Sequence, residues 1–92
     1  MDTGRLIALL EKYFGELGGL MLKREMKRLE IDDINTIGNF KKVLLIRSLC
    51  RDVFGEVVSS NKVQMIKSEL ISIFGINPQR YTEIFLSLRE DG

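Results

Sequence analysis

Residues 39–54 read NFKKVLLIRSLCRDVF, and this stretch decides the fold. Its apolar side chains recur at helical spacing and cover much of the helix circumference: Phe40, Val43, Leu44, Ile46, Leu49, Cys50, Val53 and Phe54. A helix that is apolar on most sides is typical of a central, buried element. Asn39 is the predicted N-cap, and Gly55 is the predicted end. We therefore expect Leu45→Asp or Leu49→Asp to unfold the domain, because each would bury an unpaired charge.

Two amphipathic helices are predicted before this central helix. The first has an apolar face and ends at Gly15, where a left-handed residue is favoured, and Asp2 or Thr3 caps its start. The second carries Gly18 and Gly19 near its beginning. Glycine weakens a helix, so either the helix begins after this pair or the pair lets another helix approach closely. The two apolar faces are Leu6, Leu9, Leu10 and Tyr13, and then Leu17, Leu20, Met21, Met26 and Leu29.

A polar connection with one short turn around Ile31 and Ile34 is expected between residues 32 and 38, and two more helices are predicted after the central one. Ser59, Ser60 or Asn61 caps the fourth helix, and Phe74-Gly75-Ile76 has the form of a helix stop. Asn77-Pro78 is typical of an N-cap followed by the first helical residue. The expected apolar faces are Val63, Ile66, Leu70, Ile73 and Phe74, and then Tyr81, Ile84, Phe85 and Leu88.

These segments predict one all-α domain over residues 1–92, a compact bundle of about five helices. Two pairs of segments are also similar to each other: LLEKYFGE (9–16) with LCRDVFGE (49–56), and MLKREM (21–26) with MIKSEL (65–70). They suggest two pseudo-repeated helical hairpins over residues 3–31 and 39–74, with an added helix over 78–89. The alternative is a chance match among common helical residues.

The chain offers little for catalysis or for a cofactor. It has no histidine, which removes the commonest general base and the commonest metal ligand. Its one cysteine, Cys50, lies among apolar residues, where a thiol behaves as an inert hydrophobic group. We therefore predict no catalytic residue, no metal site and no cofactor, and we expect a non-enzymatic protein.

The acidic residues and the methionines have structural interpretations. Asp32-Asp33 reads as a solvated capping turn, since it lacks the ligand spacing of a calcium loop. Glu25 and Glu69 occupy matched repeat positions and are expected on the solvated surface in charge pairs, such as Glu25 with Arg28. The core is expected to contain Met21, Met26 and Met65.

A lone cysteine and the absence of a signal peptide favour a reducing, cytoplasmic location. Arg5, Glu11 and Lys12 interrupt the apolar residues near the start of the chain. No apolar run approaches the ~18–20 residues that a membrane span requires.

Four cations form a basic stripe on the second predicted helix: Lys23, Arg24, Lys27 and Arg28, with Lys41 and Lys42 as a candidate extension. Their spacing of i, i+1, i+4 and i+5 places the four on one helical face. Three interpretations stay open: a solvated face, a contact for an acidic protein, and a contact for nucleic-acid phosphates. The net charge of +1 gives no global basic field, which makes nucleic acid the less favoured partner.

Residues 13–31, YFGELGGLMLKREMKRLEI, resemble a helical C-terminal module of archaeal and bacterial signalling proteins. Such modules occur beside protein-kinase, receiver-like and roadblock-like domains, and the resemblance implies a role in regulation or association. Glu16 stands where that pattern has proline, and Glu30 stands where it has glycine.

The sequence thus favours a protein–protein interaction or regulatory domain. Hydrophobic residues make up 45% of the chain, and its mean hydropathy is +0.02. Either the core is dense, or an apolar face is left for a partner or for self-association into a homo-oligomer. The alternative function is a nucleic-acid-binding accessory protein that uses the basic stripe.

Overall fold

The protein is a bundle of five α-helices, as the sequence predicts. The structure is a computed structural model that describes residues 3–53 and 59–90, and no strand occurs in these two ranges. The helices are α1 (Thr3–Phe14), α2 (Leu17–Arg28), α3 (Asn39–Ser48), α4 (Ser60–Phe74) and α5 (Pro78–Glu90). A 3₁₀ turn (Ile34–Thr36) precedes α3, and a π-helical turn (Leu49–Val53) follows it. The predictions that concern Asp2, Phe54 and Gly55 lie outside the described residues.

Helix α3 and the π turn are central, as predicted. The side chains of Val43, Leu45, Ile46 and Leu49 are fully buried. α3 packs against α2, α4 and α5, and α1 contacts both α2 and α4. Burying each of these side chains contributes roughly 1.5–3 kcal/mol, so this helix supplies a large share of the core's stability.

The paired glycines bring α1 and α2 together, which decides between the two alternatives for this pair. α2 begins at Leu17, before both glycines. A Cβ atom at Gly18 would lie 2.5 Å from the carbonyl carbon of Leu10 and 2.6 Å from its oxygen. At Gly19 the nearest atom would be Ile7 Cγ2 at 3.8 Å, an ordinary contact. Only Gly18 is therefore required for the close approach of the two helices.

Helices α2 and α4 end in the same way, with a left-handed residue followed by a buried isoleucine. Gly75 (φ 70°) ends α4, and the Ile76 amide donates to the Ile71 carbonyl at 3.2 Å. At the end of α2 the left-handed residue is Glu30 (φ 58°), and the Ile31 amide donates to Met26 at 2.8 Å. A hydrogen bond from an amide to the carbonyl five residues earlier, just after a left-handed residue, is the Schellman motif, which favours glycine at the left-handed position. The stop at Gly75 was predicted from the sequence, whereas the stop at Glu30 was not.

The helix starts follow the sequence with one exception. Ser59 Oγ accepts from the Lys62 amide at 3.4 Å, and Asn77 Oδ1 accepts from Gln79 at 2.8 Å. Asp33 caps the 3₁₀ turn by accepting from Asn35 at 2.9 Å, which confirms a capping role in that acidic turn. Asn39 is the first residue of α3 and not its cap. Gly38 precedes α3 in extended conformation, so the predicted cap was one residue late.

Several side chains differ from their predicted burial. Leu17 and Leu20, assigned to the apolar face of the second predicted helix, are each 62% exposed. Glu69, expected on the solvated surface, is partly buried. Phe40 and Met65, expected in the core, are 53% and 58% exposed. Glu25, expected on the solvated surface, is 6% exposed and is paired with Arg28, as the sequence suggested. Helical spacing shows which residues share a face, but only packing decides which face is covered. The internal repeat stays a prediction.

Candidate functional site

The six predicted contact residues form two groups: three donate hydrogen bonds within the protein, and three are exposed on α2. Arg28 donates through Nε to Glu25 Oε2 at 2.8 Å and through Nη2 to Ser48 Oγ. It therefore links the buried Glu25 of α2 to the buried Ser48 of α3. A buried carboxylate requires such a partner, because an unpaired charge is costly away from water. The structure thus gives Arg28 a structural contact.

Lys41 and Lys42, at the start of α3, face the ends of two other helices. Lys41 Nζ donates to the Leu29 carbonyl at 3.3 Å, at the end of α2. Lys42 Nζ donates to the Phe74 carbonyl at 3.5 Å, at the end of α4. Cations at a helix C-terminus satisfy free carbonyl groups and are favoured by the helix dipole. These two adjacent lysines therefore tie α3 to α2 and α4, and their role as partner contacts stays a prediction.

Lys23, Arg24 and Lys27 are exposed on the outer side of α2. The ion pairs recorded between the described residues lie elsewhere, at Glu25–Arg28 and Arg80–Glu83. The buried side of α2 carries Gly18 and Leu22, so the three cations point away from the core. They are the members of the basic stripe that remain available to a partner.

Two exposed leucines lie on the same side of α2 as these cations. Leu17 and Leu20 are each 62% exposed, the highest values among the large apolar side chains of the described residues. Leu17, Leu20, Arg24 and Lys27 follow a spacing of i, i+3, i+7 and i+10, which places them along one helical face. We call Leu17, Leu20, Lys23, Arg24 and Lys27 the α2 outer face. It is apolar in the first part of the helix and basic in the second.

A second candidate site is a partly open cavity of about 520 Å³ between α3, the π turn, α4 and α5. We call it the Tyr81 cavity. The lining residues that bear on its chemistry are Arg47, Cys50, Arg51, Lys67, Tyr81 and Phe85. The Tyr81 and Phe85 rings lie 6.0 Å apart with an interplanar angle of 19°, and Lys67 Nζ lies 5.8 Å from the centre of the Tyr81 ring. The wall is therefore aromatic, with cations beside it.

Cys50 and Tyr81, two of the ionisable side chains that line this cavity, stay neutral at physiological pH. Burial raises the pKa of the Cys50 thiol to about 11, although the nearby Lys67 charge opposes the shift. Burial also raises the pKa of Tyr81 to about 12, with a further increase from Cys50 and an opposing effect of Arg47. A thiol that keeps its proton is a poor nucleophile. The cavity thus combines two neutral donor groups, the Cys50 thiol and the Tyr81 hydroxyl, with cationic side chains.

The sequence did not predict the Tyr81 cavity, because its residues come from helices far apart in the chain. One signal was present: Arg47 and Arg51 lie four residues apart, on the same side of the predicted central helix. Across the described ranges, no group of three histidine, cysteine or acidic side chains is placed to hold a metal ion. Nor does any helix there combine the length and apolar character needed to cross a membrane.

No protein-family model matches this chain, and neither a curated protein nor a solved structure is similar to it. The resemblance of residues 13–31 to a signalling module therefore stays a prediction.

Proposed function

We propose that this protein is a non-enzymatic interaction domain whose α2 outer face docks an acidic, amphipathic segment of another protein. The observation that carries the proposal is the juxtaposition on one face of two exposed leucines and three exposed cations. Single exposed leucines are common on protein surfaces. Two of them one helical turn apart, continued by three like charges, form a surface with a defined complement.

The two parts of the face have different physical roles in this proposal. Covering Leu17 and Leu20 removes apolar surface from water and supplies most of the affinity. Each exposed ion pair contributes only about 0.2–1 kcal/mol, so the cations act mainly on association rate and partner choice. The favoured partner therefore presents aliphatic side chains beside aspartate or glutamate, for example on one side of a helix.

A second copy of this chain is a poorer match for the same face. Two α2 outer faces packed in parallel would bring six like charges close to one another, and packed antiparallel they would set the cations of each copy against the leucines of the other; both arrangements are unfavourable. Self-association, if it occurs, would use another surface, and light scattering during size-exclusion chromatography measures it against the monomer mass of 10.6 kDa.

The same proposal includes a regulatory role, in agreement with the signalling resemblance, and a cytoplasmic location, where a lone cysteine stays reduced. It assigns no reaction to the chain. Support comes from the missing histidine and from the protonated state of Cys50.

Site-specific photo-crosslinking in the native cell tests the proposal. A photoreactive phenylalanine analogue replaces Leu20 in one variant and Met65 of α4 in a second, since these two side chains are similarly exposed at 62% and 58%. We expect a protein adduct from position 20 that position 65 does not form. Equal adducts from both positions would contradict a specific docking face.

Charge reversal then tests the basic part of the face. Lys23→Glu combined with Lys27→Glu should abolish the adduct from position 20, because both changes place like charges opposite an acidic partner. Lys62→Glu, on the exposed surface of α4, is the matched control and should leave the adduct unchanged. An adduct that survives the double reversal would refute the acidic partner.

Nucleic-acid binding is the second candidate function, favoured by the three exposed cations on one helical face. If Lys23, Arg24 and Lys27 each contact one phosphate, the slope of log K against log salt should be about −3. Fluorescence anisotropy with a generic DNA duplex at several salt concentrations measures this slope. No binding at low salt would remove this candidate.

A further inference from the structure

The Tyr81 cavity contains a buried polar group without a partner. The Tyr81 side chain is only 4% exposed, and no described residue forms a hydrogen bond with its hydroxyl. Buried hydroxyl groups in proteins are almost always hydrogen-bonded. Tyr81 itself lines the cavity, together with Cys50 and Arg47. A ligand in that space that reached this hydroxyl would give it the partner it lacks.

The charged groups of the cavity are all positive among the lining residues that the structure describes. Arg47 lies on α3, Arg51 on the π turn and Lys67 on α4, so three separate elements contribute cationic residues to the lining. Arginine and lysine bind carboxylates through charge-assisted hydrogen bonds, and a neutral phenol adds a further donor. The polar part of the cavity therefore suits an anion.

The remaining wall suits an apolar body. The nearly parallel rings of Tyr81 and Phe85 form one side, and Val63 and the uncharged Cys50 thiol extend the apolar surface. Cavities of roughly 300–1,000 Å³ with mostly apolar walls and a few convergent polar groups are typical of small-molecule sites. A volume of about 520 Å³ falls within this range.

We propose that the Tyr81 cavity binds a small anionic amphiphile, namely a free monocarboxylate with an apolar body, whose carboxylate contacts Lys67, Arg47 and the Tyr81 hydroxyl. The apolar body packs against the Tyr81 and Phe85 rings. This site lies between α3, α4 and α5 and is separate from the α2 outer face. It gives the domain a ligand of its own, independent of the protein partner.

Decanoate is a suitable probe, and decanol and inorganic phosphate are its matched controls. Decanol has the same chain without the charge, and phosphate has charge without the chain. In an NMR titration of the ¹⁵N-labelled protein, decanoate should shift the amide signals of Cys50, Lys67, Tyr81 and Phe85. We expect it to bind at least about tenfold more tightly than either control. Equal binding of decanol or of phosphate would overturn the proposal.

Two variants locate the contacts. Lys67→Gln should weaken decanoate binding about tenfold, whereas Lys62→Gln, at an exposed lysine five residues earlier on α4, should not change it. Tyr81→Phe keeps the ring and removes the hydroxyl, so it should weaken decanoate and leave decanol unaffected. Because that hydroxyl has no described partner, the Tm of Tyr81→Phe should not fall. Equal effects of the two lysine variants, or unchanged decanoate binding in Tyr81→Phe, would overturn the assignment.

Discussion

The contact between α1 and α2 gives the sharpest prediction about the fold, because only one of two adjacent glycines lies against the backbone of α1. A Cβ atom at Gly18 would meet backbone atoms of Leu10 and Glu11 at 2.5–2.7 Å, and backbone cannot rotate away as a side chain can. Reaching an ordinary contact of 3.4 Å would require α1 to move by about 1 Å. At Gly19 a methyl group meets only Ile7 Cγ2 at 3.8 Å.

The two alanine variants should therefore change stability in opposite directions. Alanine in a helix is favoured over glycine by about 1 kcal/mol, so Gly19→Ala should stabilise the protein by roughly 0.5–1 kcal/mol. Gly18→Ala receives the same benefit but forces the two helices apart, and overpacking costs about 1–3 kcal/mol or more. Because the clash is with backbone atoms, the cost lies at the upper end of this range, and we expect a net loss of about 2 kcal/mol for Gly18→Ala.

Thermal unfolding followed by circular dichroism measures both changes. A change of 1 kcal/mol shifts the Tm of a domain of this size by roughly 4–8 °C. Gly18→Ala should thus lower the Tm by about 8–16 °C, and Gly19→Ala should raise it by about 2–8 °C. Equal shifts, or a Gly18→Ala variant as stable as the unaltered protein, would refute the close approach of α1 and α2.

Three further predictions concern a helix end, the core and the buried thiol. Glu30→Gly should raise the free energy of unfolding, because it removes a left-handed non-glycine residue, and Gly75→Ala should lower it, each by about 0.5–1 kcal/mol in chemical denaturation. The same sign for both would contradict the shared helix-end geometry. Leu45→Asp should abolish the cooperative unfolding transition, whereas Phe40→Asp, at an exposed position of the same helix, should keep it; a normal melt for Leu45→Asp would show that α3 is not central. Cys50 keeps its proton to about pH 11 in the folded protein but ionises near 9.0 when unfolded, so the unfolding free energy should fall between pH 9 and 11. Cys50→Ala should reduce that fall in urea titrations, and an identical pH profile would show that the thiol is not buried.

The helix ends were the most predictable part of the fold. Gly15, Gly75 and Asn77-Pro78 mark helix ends through backbone preferences that depend on few neighbours. The end of α2 was harder to predict, because Glu30 adopts the left-handed conformation that glycine normally supplies. There the buried Ile31 and its bond to Met26 stabilise the stop.

Burial was less predictable, because it depends on which helix covers which face. Phe40 and Met65 fit the apolar pattern of their helices, yet both remain largely exposed. Glu25 fits a polar pattern, yet it is buried through its pair with Arg28. Neither outcome follows from spacing along one helix.

The candidate sites, too, could be predicted only in part from the sequence. Helical periodicity placed Lys23, Arg24 and Lys27 on one face. The prediction that Leu17 and Leu20 belong to the apolar face of the same helix was wrong, because both are exposed beside these cations. The Tyr81 cavity joins residues from position 47 to position 85, and only the packing of α3, α4 and α5 brings them together.

The sequence of the segment crosslinked to position 20 tests the central claim most directly. Mass spectrometry of the purified adduct identifies this segment without any prior choice of partner. The α2 outer face predicts a segment of another protein with a net negative charge and with aliphatic side chains at helical spacing. A basic or uncharged segment, a second copy of this chain, or a nucleic acid would contradict the assignment of the α2 outer face.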